Sequence, residues 1–242
     1  MEEFVQQVAT GLATGSVYAM LALAIVRIYQ STAVVNFAQG ELAMFSTFVA
    51  WSFLEHMDYW PAFLLAIVVA ALLGAAIERV VLRPVEQAAP LNSVIVTLGL
   101  FTILNSLALW HWGGVPKPFP APGVFSGAPL TVGEITISRL NIGIFCTSVA
   151  IMAALFAFLN LTKLGLAMRA SAQHPEPARM VGIRVGRMLS LGWGLSAAVG
   201  AVAGQCYWTL VILAVISGAT VAWRLAYLRA KGIGGPTRPP ST

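Results

Sequence analysis

Long apolar segments are the feature of this sequence that most restricts its possible folds. They lie at about 8–29, 33–54, 61–82, 91–112 and 139–161, and a further apolar stretch covers 188–223. A helix of about 20 apolar residues crosses the hydrocarbon layer of a bilayer. Only 10% of the 242 residues are charged, whereas soluble domains carry about a quarter. The sequence therefore predicts an all-α fold, a polytopic bundle of transmembrane helices.

The last apolar stretch, 188–223, is too long for one crossing. Its roughly 36 residues would form a helix of about 54 Å, and the hydrocarbon layer is about 30 Å thick. Two short spans that meet near Gln205–Trp208 fit better, which gives about six to seven spans in total. We expect three parts of the chain: a transmembrane domain at 1–206, a last span at 207–230 and a polar, disordered tail at 231–242.

The distribution of basic residues predicts the orientation of the bundle. If the N-terminus lies outside, only Lys117 and Arg139 of the 14 lysines and arginines face outward. The others fall at or near the inner side: Arg27, Arg79, Arg83, Lys163, Arg169, Arg179, Arg184, Arg187, Arg224, Arg229, Lys231 and Arg238. Because basic residues accumulate in cytoplasmic loops, we expect the N-terminus outside. The acidic Glu2 and Glu3 agree with this and do not resemble the basic start of a signal peptide, so the first segment should remain as a helix.

Small residues recur at every fourth position in three of the segments. The rows are Gly11, Gly15 and Ala19; Ala66, Ala70 and Gly74; and Gly192, Ser196, Gly200 and Gly204. Such rows let helix backbones approach closely in a solvent that supplies no hydrophobic driving force. They predict a tightly packed bundle.

Three polar side chains interrupt the beginning of the second apolar segment. They are Asn36, Gln39 and Glu41, and Gly40 separates the last two. A charged side chain in hydrocarbon costs on the order of 2.5–3.5 kcal/mol on insertion scales, so these residues must face protein, water or the interface. In one interpretation the span begins near residue 41 and they cap it at the interface. In the other, Gly40 helps to break the helix inside the membrane, beside a polar pathway.

A second polar segment, 162–187, carries the features of a short helix. In "HPEPARMVG", Pro175 suits a first helical turn, Glu176 lies near the positive helix end, and Gly182 stands where a helix would stop. We predict a short helix over 175–181, between two membrane spans. The arginines around it fit a simple excess of positive charge on the inner side equally well.

Four segments resemble conserved blocks of one protein family. They are "GLATGSVYAMLALAIVRIYQSTAVVNFAQGELAMF" (11–45), "ERVVLRPV" (78–85), "VTLGL" (96–100) and "LGLAMRASAQHPEPARMVGIRV" (164–185). In this order they resemble the blocks of the branched-chain amino-acid ABC permeases, with Gln39 at the position of the usual histidine. The resemblance covers about 8–206 and ends after Gly204, which predicts a shortened, frameshifted or divergent C-terminus.

The resemblance implies a function and a set of partners. It implies the membrane-spanning permease subunit of an ATP-driven importer in the bacterial inner membrane, for branched-chain or related amino acids; urea and short amides are alternative substrates. The implied partners are a second, non-identical permease subunit, two cytoplasmic ATP-binding subunits, an extracytoplasmic substrate-binding protein and membrane lipid. The chain lacks the motif G-x-x-x-x-G-K-[ST]. ATP hydrolysis would therefore belong to separate subunits, and this chain would not be an enzyme.

The same resemblance suggests which residues act. The translocation pathway would include Asn36, Gln39, Gly40, Glu41, Thr97 and Gly99. The loop that couples to the ATPase would include Gly165, Arg169, Ala170, Pro175, Ala178, Arg179 and Gly182. Thr97 could equally bond to the backbone of its own helix.

The remaining reactive residue types predict no chemistry. His56, His111 and His174 lack the spacing of metal ligands, so we expect no metal and no cofactor. Cys146 and Cys206 lie in apolar stretches and are predicted to be small core residues. The net charge of +5 reflects the inner loops, so we expect no nucleic-acid partner.

Two further interpretations stay open. A self-contained channel or carrier would need an intramembrane charge relay or a repeat of broken helices, and only 34–45 has that character. The other is a truncated remnant of such a permease that no longer transports.

Overall fold

The computed structural model describes residues 2–32, 35–85, 90–113, 117, 119–120, 122–123, 125, 127–132 and 135–206. The helices are α1 Glu2–Thr32, α2 Gln39–Leu54, α3 Tyr59–Ile77, α4 Pro90–Trp112, α5 Arg139–Leu161, α6 Lys163–Gln173, α7 Pro175–Met180 and α8 Val185–Cys206. Helix α3 continues through a π-turn at Glu78–Leu82 and a 3-10 turn at Arg83–Val85. The predicted last span, 207–230, and the tail, 231–242, lie outside the described residues.

A small hairpin stands between α4 and α5. Strand β1, Leu130–Val132, pairs antiparallel with β2, Ile135–Ile137, so that Leu130 lies opposite Ile137. All other regular structure in the described ranges is helical. The chain is therefore an all-α bundle with one short hairpin in a loop.

Five helices within the described ranges are long and apolar enough to cross a membrane. They are Phe4–Gln30, Tyr59–Val85, Leu91–Trp112, Arg139–Leu161 and Val185–Cys206. The prediction of a polytopic helical bundle is confirmed. The second apolar segment differs from its predicted extent, because α2 has 16 residues and begins at Gln39. A helix of 16 residues is about 24 Å long, which is less than the roughly 30 Å thickness of the hydrocarbon layer. If this segment crosses the membrane, part of the crossing is therefore non-helical.

Helix α8 lies at the centre of the bundle. In its membrane-length window, 61% of the residues are buried inside the protein, compared with 22–28% in the other four. One face of α8 packs with α1 and α5 through Val199, Val202 and Ala203. Trp193 packs on its other side with residues of α2, α3 and α4. Each of the five longest neighbouring helices therefore contacts α8 or shares a cluster with it.

Two of the three rows of small residues make the expected close contacts. A Cβ atom added at Gly74 would lie 2.6 Å from Ala197 Cβ, and one added at Gly204 would lie 2.6 Å from the carbonyl oxygen of Ala43. Helices α3 and α2 thus touch α8 almost backbone to backbone. The row on α1 differs, because Gly11, Gly15 and Ala19 are exposed and face away from the other described helices.

The prediction that both cysteines lie in the core is wrong for one of them. Cys206 is buried among α1, α5 and α8, whereas Cys146 is exposed on α5. Both sit in apolar sequence, and in a membrane protein such sequence faces lipid as readily as the core. Apolar surroundings along the chain therefore did not distinguish the two positions.

Candidate functional site

A buried polar cluster joins the beginning of α2 to the middle of α8. Its members are Asn36, Gln39 and Ser196, whose exposed fractions are 2%, 1% and 2%. The Gln39 Nε2 donates to the carbonyl oxygen of Ser196 at 3.3 Å. Asn36 Nδ2 donates to Gln39 Oε1, also at 3.3 Å. The two amides are therefore shielded from lipid by the protein itself.

Local hydrogen bonds explain why α2 begins where it does. The Oδ1 of Asn36 accepts from the backbone N–H of Ala38 at 3.0 Å, and the N–H of Gln39 donates to the carbonyl of Asn36 at 3.3 Å. These bonds close a turn over 36–39 immediately before the helix. Side chains such as Asn favour turns for this reason. Helix α2 therefore begins directly after this turn, at Gln39 and before Gly40.

Helix α1 also reaches the cluster. The Ser196 hydroxyl donates to the carbonyl of Ala24 at 2.6 Å. A Cβ atom added at Gly200, one turn further along α8, would lie 2.5 Å from Gln39 Nε2. The amide of Gln39 thus occupies a space that a glycine leaves open. Three helices, α1, α2 and α8, meet at this point.

Gly40 and Glu41 lie at the edge of the cluster. Gly40 is exposed in the first turn of α2, with open space where a Cβ would stand, so the prediction that it breaks the helix is wrong. The Glu41 carboxylate is partly exposed and accepts from Asn105 Nδ2 of α4 at 3.3 Å. The interfacial interpretation placed the start of the helix close to its observed position. It did not anticipate that Asn36 and Gln39 would be enclosed by α8.

The two candidates on α4 face different ways. Thr97 is fully buried, and its hydroxyl donates to the carbonyl of Val94 at 2.9 Å. Of the two alternatives for Thr97, the bond to its own helix is the observed one. Gly99 is exposed. Positions two apart on a helix point about 200° apart, so one face of α4 cannot present both.

A second polar cluster, which was missed, joins the end of α3 to the beginning of α8. Glu78 is 3% exposed, and the Ser190 hydroxyl donates to its carboxylate. Arg83 Nε lies 3.5 Å from Glu78 Oε1, and Arg83 Nη2 donates to the carbonyl of Gly186 at 2.6 Å. The cluster ties the π-turn at the end of α3 to α8.

The sequence signal for this cluster was weak. Glu78 and Arg83 are five residues apart, which on an α-helix puts them about 140° apart around the axis. The π-turn alters this spacing, since the N–H of Arg83 bonds to the carbonyl of Glu78. An i to i+5 bond of this type is rare and is found often at functional sites. The spacing of an ordinary α-helix therefore does not predict this pair.

The predicted short helix is present as α7, Pro175–Met180. The N–H of Ile183 bonds to the carbonyl of Ala178 and that of Gly182 to Arg179, both at 3.0 Å. With φ of +84° at Gly182, this is a Schellman ending, in which the residue after the helix adopts the left-handed conformation. The sequence therefore predicted both ends of this helix to within a residue.

One residue of α7 attaches it to the bundle. Ala178 is buried and packs against Val185 and Leu189 at the beginning of α8. The rest of the helix is exposed, including Met180 at 88% and the following Val181 at 76%. Pro175, Arg179 and Gly182 are likewise exposed, and Arg179 Nη1 pairs with Glu176 Oε1 at 2.8 Å.

The other residues assigned to this loop lie on α6. Thr162 caps the helix by accepting from the N–H of Gly165 at 3.0 Å. Gly165 fits closely against α5, since a Cβ there would lie 2.5 Å from Leu159 Cα. Arg169 is exposed and donates to Asn160 Oδ1 at 2.9 Å, while Ala170 is half-buried. Six of the seven residues thus divide between α6 and α7, and Gly182 lies in the turn that follows α7.

No reactive centre accompanies these clusters in the part of the chain that the structure describes. Within those ranges, no three His, Cys, Asp or Glu side chains lie close enough together to hold a metal ion. The polar groups of the two clusters are amides, hydroxyls, the carboxylates of Glu41 and Glu78, and the guanidinium of Arg83. Such groups can bind, orient and hold helices together.

The described residues form a bundle of helices long enough to cross a membrane, with buried amides and an exposed short helix, as a membrane permease would require. Comparison with known proteins defines the family. The family described as branched-chain amino acid transport system / permease component matches residues 7–242, and this chain belongs to it. The match continues past Cys206 to the end of the sequence, so the expectation that the resemblance ends after Gly204 is not supported.

Relatives of this chain are permease proteins from bacteria and archaea. The BraD permease protein of the high-affinity branched-chain amino acid transport system of Pseudomonas aeruginosa is 29% identical over 83% of this chain and 69% of its own length. LivH of Escherichia coli, named as a permease protein of the same kind of system, gives the same three figures. The xylose/arabinose import permease protein XylH of Sulfolobus acidocaldarius is 29% identical over 70% of this chain and 46% of its own length. No solved structure matches the chain.

Proposed function

We propose that this chain is the membrane-spanning permease subunit of an ATP-driven importer for branched-chain or related amino acids. The relatives named for branched-chain amino acids match 76–83% of the chain, against 70% for the relative named for sugars. In the proposed assembly it pairs with a second, non-identical permease subunit. Two cytoplasmic subunits hydrolyse ATP, and an extracytoplasmic protein delivers the substrate.

The observation that carries this proposal is the position of α8. At its beginning, Val185 and Leu189 hold the exposed α7. Two to three turns beyond Leu189, Ser196 and Gly200 contact the amide of Gln39. Between Val185 and Ser196 the helix rises about 17 Å. A rigid helix of this kind can carry a displacement of α7 directly to the polar cluster, which supports a coupling role for α7.

The proposed orientation places α7 in the cytoplasm. The excess of basic residues around α6 and α7 supports it, because such residues stay on the cytoplasmic side. Met180 and Val181 then extend from the membrane domain as an apolar tip next to the Glu176–Arg179 pair. A large apolar side chain that is almost fully exposed suits insertion into a groove of a partner protein. We assign this tip to contact with the ATP-binding subunit, with Pro175, Ala178 and Gly182 fixing its shape.

The proposed substrate route runs along the exposed side of α2 and α4. Glu41 and Asn105 form a polar pair there, and the described residues leave both of them partly exposed. A carboxylate that faces lipid is costly, so the second permease subunit and water should cover this surface. Gly40 and Gly99 are exposed on the same two helices, whereas Asn36, Gln39 and Thr97 lie behind them in the bundle. In this arrangement the buried amides hold the wall of the route and Glu41 faces it.

Reconstitution of the importer tests the proposal. The chain is co-expressed with its partner permease and ATP-binding subunits, and substrate-stimulated ATP hydrolysis and leucine uptake are measured in liposomes. We expect the double substitution of Met180→Ser and Val181→Ser to abolish capture of the ATP-binding subunit. The control Leu166→Ser removes an apolar side chain of similar exposure from α6 and should leave capture unchanged.

Other outcomes would contradict the proposal. Uptake by the purified chain without ATP-binding subunits would indicate a self-contained carrier. Correct insertion without capture of the ATP-binding subunit and without uptake would indicate a remnant. Uptake is therefore measured for leucine, urea, a short amide and xylose. ATP-driven uptake of urea, the amide or xylose in place of leucine would change the proposed substrate and leave the proposed mechanism unchanged.

A further inference from the structure

The hydrogen-bonded pair of Glu41 and Asn105 lies at membrane depth, well inside the ends of its helices. Gln39, two residues before Glu41, contacts Ser196 near the middle of α8. At about 1.5 Å per residue, Asn105 lies about 22 Å from the first residue of α4 and about 10 Å from the last one. The carboxylate of Glu41 is therefore far from both ends of α4 and of α8.

The Glu41 carboxylate has no cationic partner among the described residues. It accepts one side-chain hydrogen bond there, from Asn105 Nδ2 at 3.3 Å. The ion pairs found in the described ranges belong to other glutamates, Glu78 and Glu176. A carboxylate can accept about four hydrogen bonds, and both members of the pair are partly exposed. The pair thus offers a negative charge and unused acceptor positions on a surface that these helices leave open.

We propose that Glu41 and Asn105 bind the ammonium group of an amino acid as it passes along α2 and α4, an inference that rests on the proposed function. A primary ammonium group has three donors and one positive charge. The carboxylate supplies the opposite charge. The Oδ1 of Asn105 supplies a neutral acceptor on the neighbouring helix, because its Nδ2 is already engaged with Glu41. Acidic side chains at membrane depth commonly mark the pathway of a substrate or an ion.

This site would distinguish amino acids from the neutral alternatives. Hydrogen bonds between ionised groups are about twice as strong as those between neutral ones. Urea, short amides and sugars carry no positive charge, so the carboxylate could give them only the weaker kind of bond. The carboxylate of an amino acid is repelled by Glu41. The substrate would therefore pass with its ammonium group toward α2 and its carboxylate away from it.

A purely structural role for the pair makes a different prediction. If Glu41 only holds α4 against α2, its charge is unimportant and its hydrogen bond to Asn105 is what counts. Glu41→Gln keeps the length of the side chain and an oxygen that can accept from Asn105 Nδ2, but removes the charge. This substitution therefore separates binding of an ammonium group from contact between the two helices.

Protection of a cysteine next to Glu41 tests the site. Gly40→Cys is suitable because Gly40 is exposed and a Cβ there would meet open space. The full chain, copurified with its partner permease in nanodiscs, is treated with N-ethylmaleimide, and modification of each cysteine is followed by peptide mass spectrometry. Three probes are compared: leucine; 3-methylbutylamine, which keeps the ammonium group and lacks the carboxylate; and 4-methylpentanoate, which keeps the carboxylate and lacks the ammonium group.

We expect leucine and 3-methylbutylamine to slow labelling at position 40 severalfold and 4-methylpentanoate to leave it unchanged. Native Cys146, exposed on α5, is the internal control, and its rate should be the same with every probe. Adding Glu41→Gln should abolish protection by 3-methylbutylamine without changing thermal unfolding. The comparison of the amine with the acid is made with native Glu41, so it remains decisive if that variant misfolds.

Several results would overturn this proposal. Equal protection by the amine and the acid, or protection that survives Glu41→Gln, would show that the charge of Glu41 is not used. Sodium chloride that protects as well as 3-methylbutylamine hydrochloride would assign a site for inorganic cations. A cysteine at position 40 that does not react without ligand would place this surface against lipid or the partner permease.

The labelling experiment requires neither ATP nor a substrate-binding protein. Absence of protection together with ATP-driven leucine uptake would remove the ammonium site and leave the proposed function standing. Protection without uptake would have the opposite meaning, since the site would bind its ligand in a chain that does not transport. The two proposals can therefore fail separately.

Discussion

The side-chain amide of Gln39 donates a hydrogen bond to the main-chain carbonyl of Ser196, 157 residues further along the chain. The bond connects the first residue of α2 to the middle of α8, the most enclosed helix of the described bundle. Because Gln39 also accepts from Asn36, its two amide atoms are used in two different contacts. A change at this one side chain should therefore disturb both the turn before α2 and its contact with α8.

We predict that Gln39→Leu lowers stability and transport together. The leucine fills a similar volume but leaves the Ser196 carbonyl and the Asn36 amide without this partner in a site that excludes water. We expect a loss of about 1–2 kcal/mol in the free energy of unfolding, since interhelical hydrogen bonds in membranes are individually modest and unpaired polar groups add a desolvation cost. Thermal unfolding in detergent and leucine uptake in liposomes measure the two effects.

The control for Gln39 is Thr102→Val on α4. That hydroxyl is exposed and bonds only within its own helix, to the carbonyl of Leu98 at 3.2 Å. Its removal should change the melting temperature little. Wild-type stability and uptake in the Gln39→Leu variant would show that the hydrogen bonds of Gln39 contribute neither to stability nor to transport.

We predict that Gly204→Ala destabilises the bundle while Gly15→Ala does not. A Cβ atom at Gly204 would lie 2.6 Å from both the Ala43 carbonyl oxygen and Thr47 Oγ1, so α2 and α8 would have to separate. Overpacking of this kind costs about 1–3 kcal/mol. At Gly15 nothing lies within 4 Å of the added atom, and alanine favours the helix by up to about 1 kcal/mol.

The two glycine variants are compared by thermal unfolding of the purified chain. Equal melting temperatures would mean that α2 and α8 are not in close contact at Gly204. A fall for Gly15→Ala would place a partner against that face of α1. Both substitutions add one methyl group to a helical glycine, so the difference between them reports chiefly the packing at the two positions.

The sequence predicted the helices well where composition alone decides them. The segments 91–112 and 139–161 match α4 and α5 closely, because each is a long, predominantly apolar stretch. The ends of α7 were also predictable, since Pro175 and Gly182 act locally. These features depend on neighbours in the chain and need no tertiary information.

The tertiary contacts could not be predicted from the sequence. The beginning of α2 depends on Ser196, far along the chain, which encloses Gln39. The glycine row on α1 and the row on α8 have the same spacing, yet only the second meets other helices. The Glu78–Arg83 pair could not be predicted, because the π-turn that brings the two side chains together has no clear sequence signal. In each case the missing information is which helix packs on which face.

We predict that Glu78→Gln weakens coupling more than it weakens binding of the ATP-binding subunit. The substitution removes the charge that Arg83 pairs with and alters the acceptor of the Ser190 hydroxyl. The end of α3 would then hold the beginning of α8, beside α7, less firmly. We expect about 1–2 kcal/mol of lost stability, reduced from the value for a fully buried pair because Arg83 is 35% exposed.

The ratio of transported leucine to hydrolysed ATP measures coupling in this variant. It should fall severalfold for Glu78→Gln, while capture of the ATP-binding subunit remains. Arg79→Gln changes a neighbouring charge that is exposed, and its ratio should equal that of the wild type. A normal ratio in Glu78→Gln would restrict the cluster to a structural role.

We predict that Gly182→Ala disrupts contact with the ATP-binding subunit by displacing the tip of α7. Gly182 has φ of +84°, in the left-handed region, where an alanine costs about 1 kcal/mol or more. The strain can be relieved by opening the turn that holds Met180 and Val181, because Gly182 and Ile183 supply the N–H groups that end the helix. Capture of the ATP-binding subunit by the purified permease should fall severalfold.

Gly113→Ala provides a matched control for the same backbone strain. Gly113 has φ of +77° and follows α4, in a different loop, and a Cβ would meet open space at both glycines. The two variants should therefore lose similar amounts of thermal stability. Only Gly182→Ala should lose capture, because only that residue shapes α7. An equal loss of capture in both would indicate a general effect of destabilisation, and normal capture in Gly182→Ala would show that the ending of α7 does not set the contact with the ATP-binding subunit.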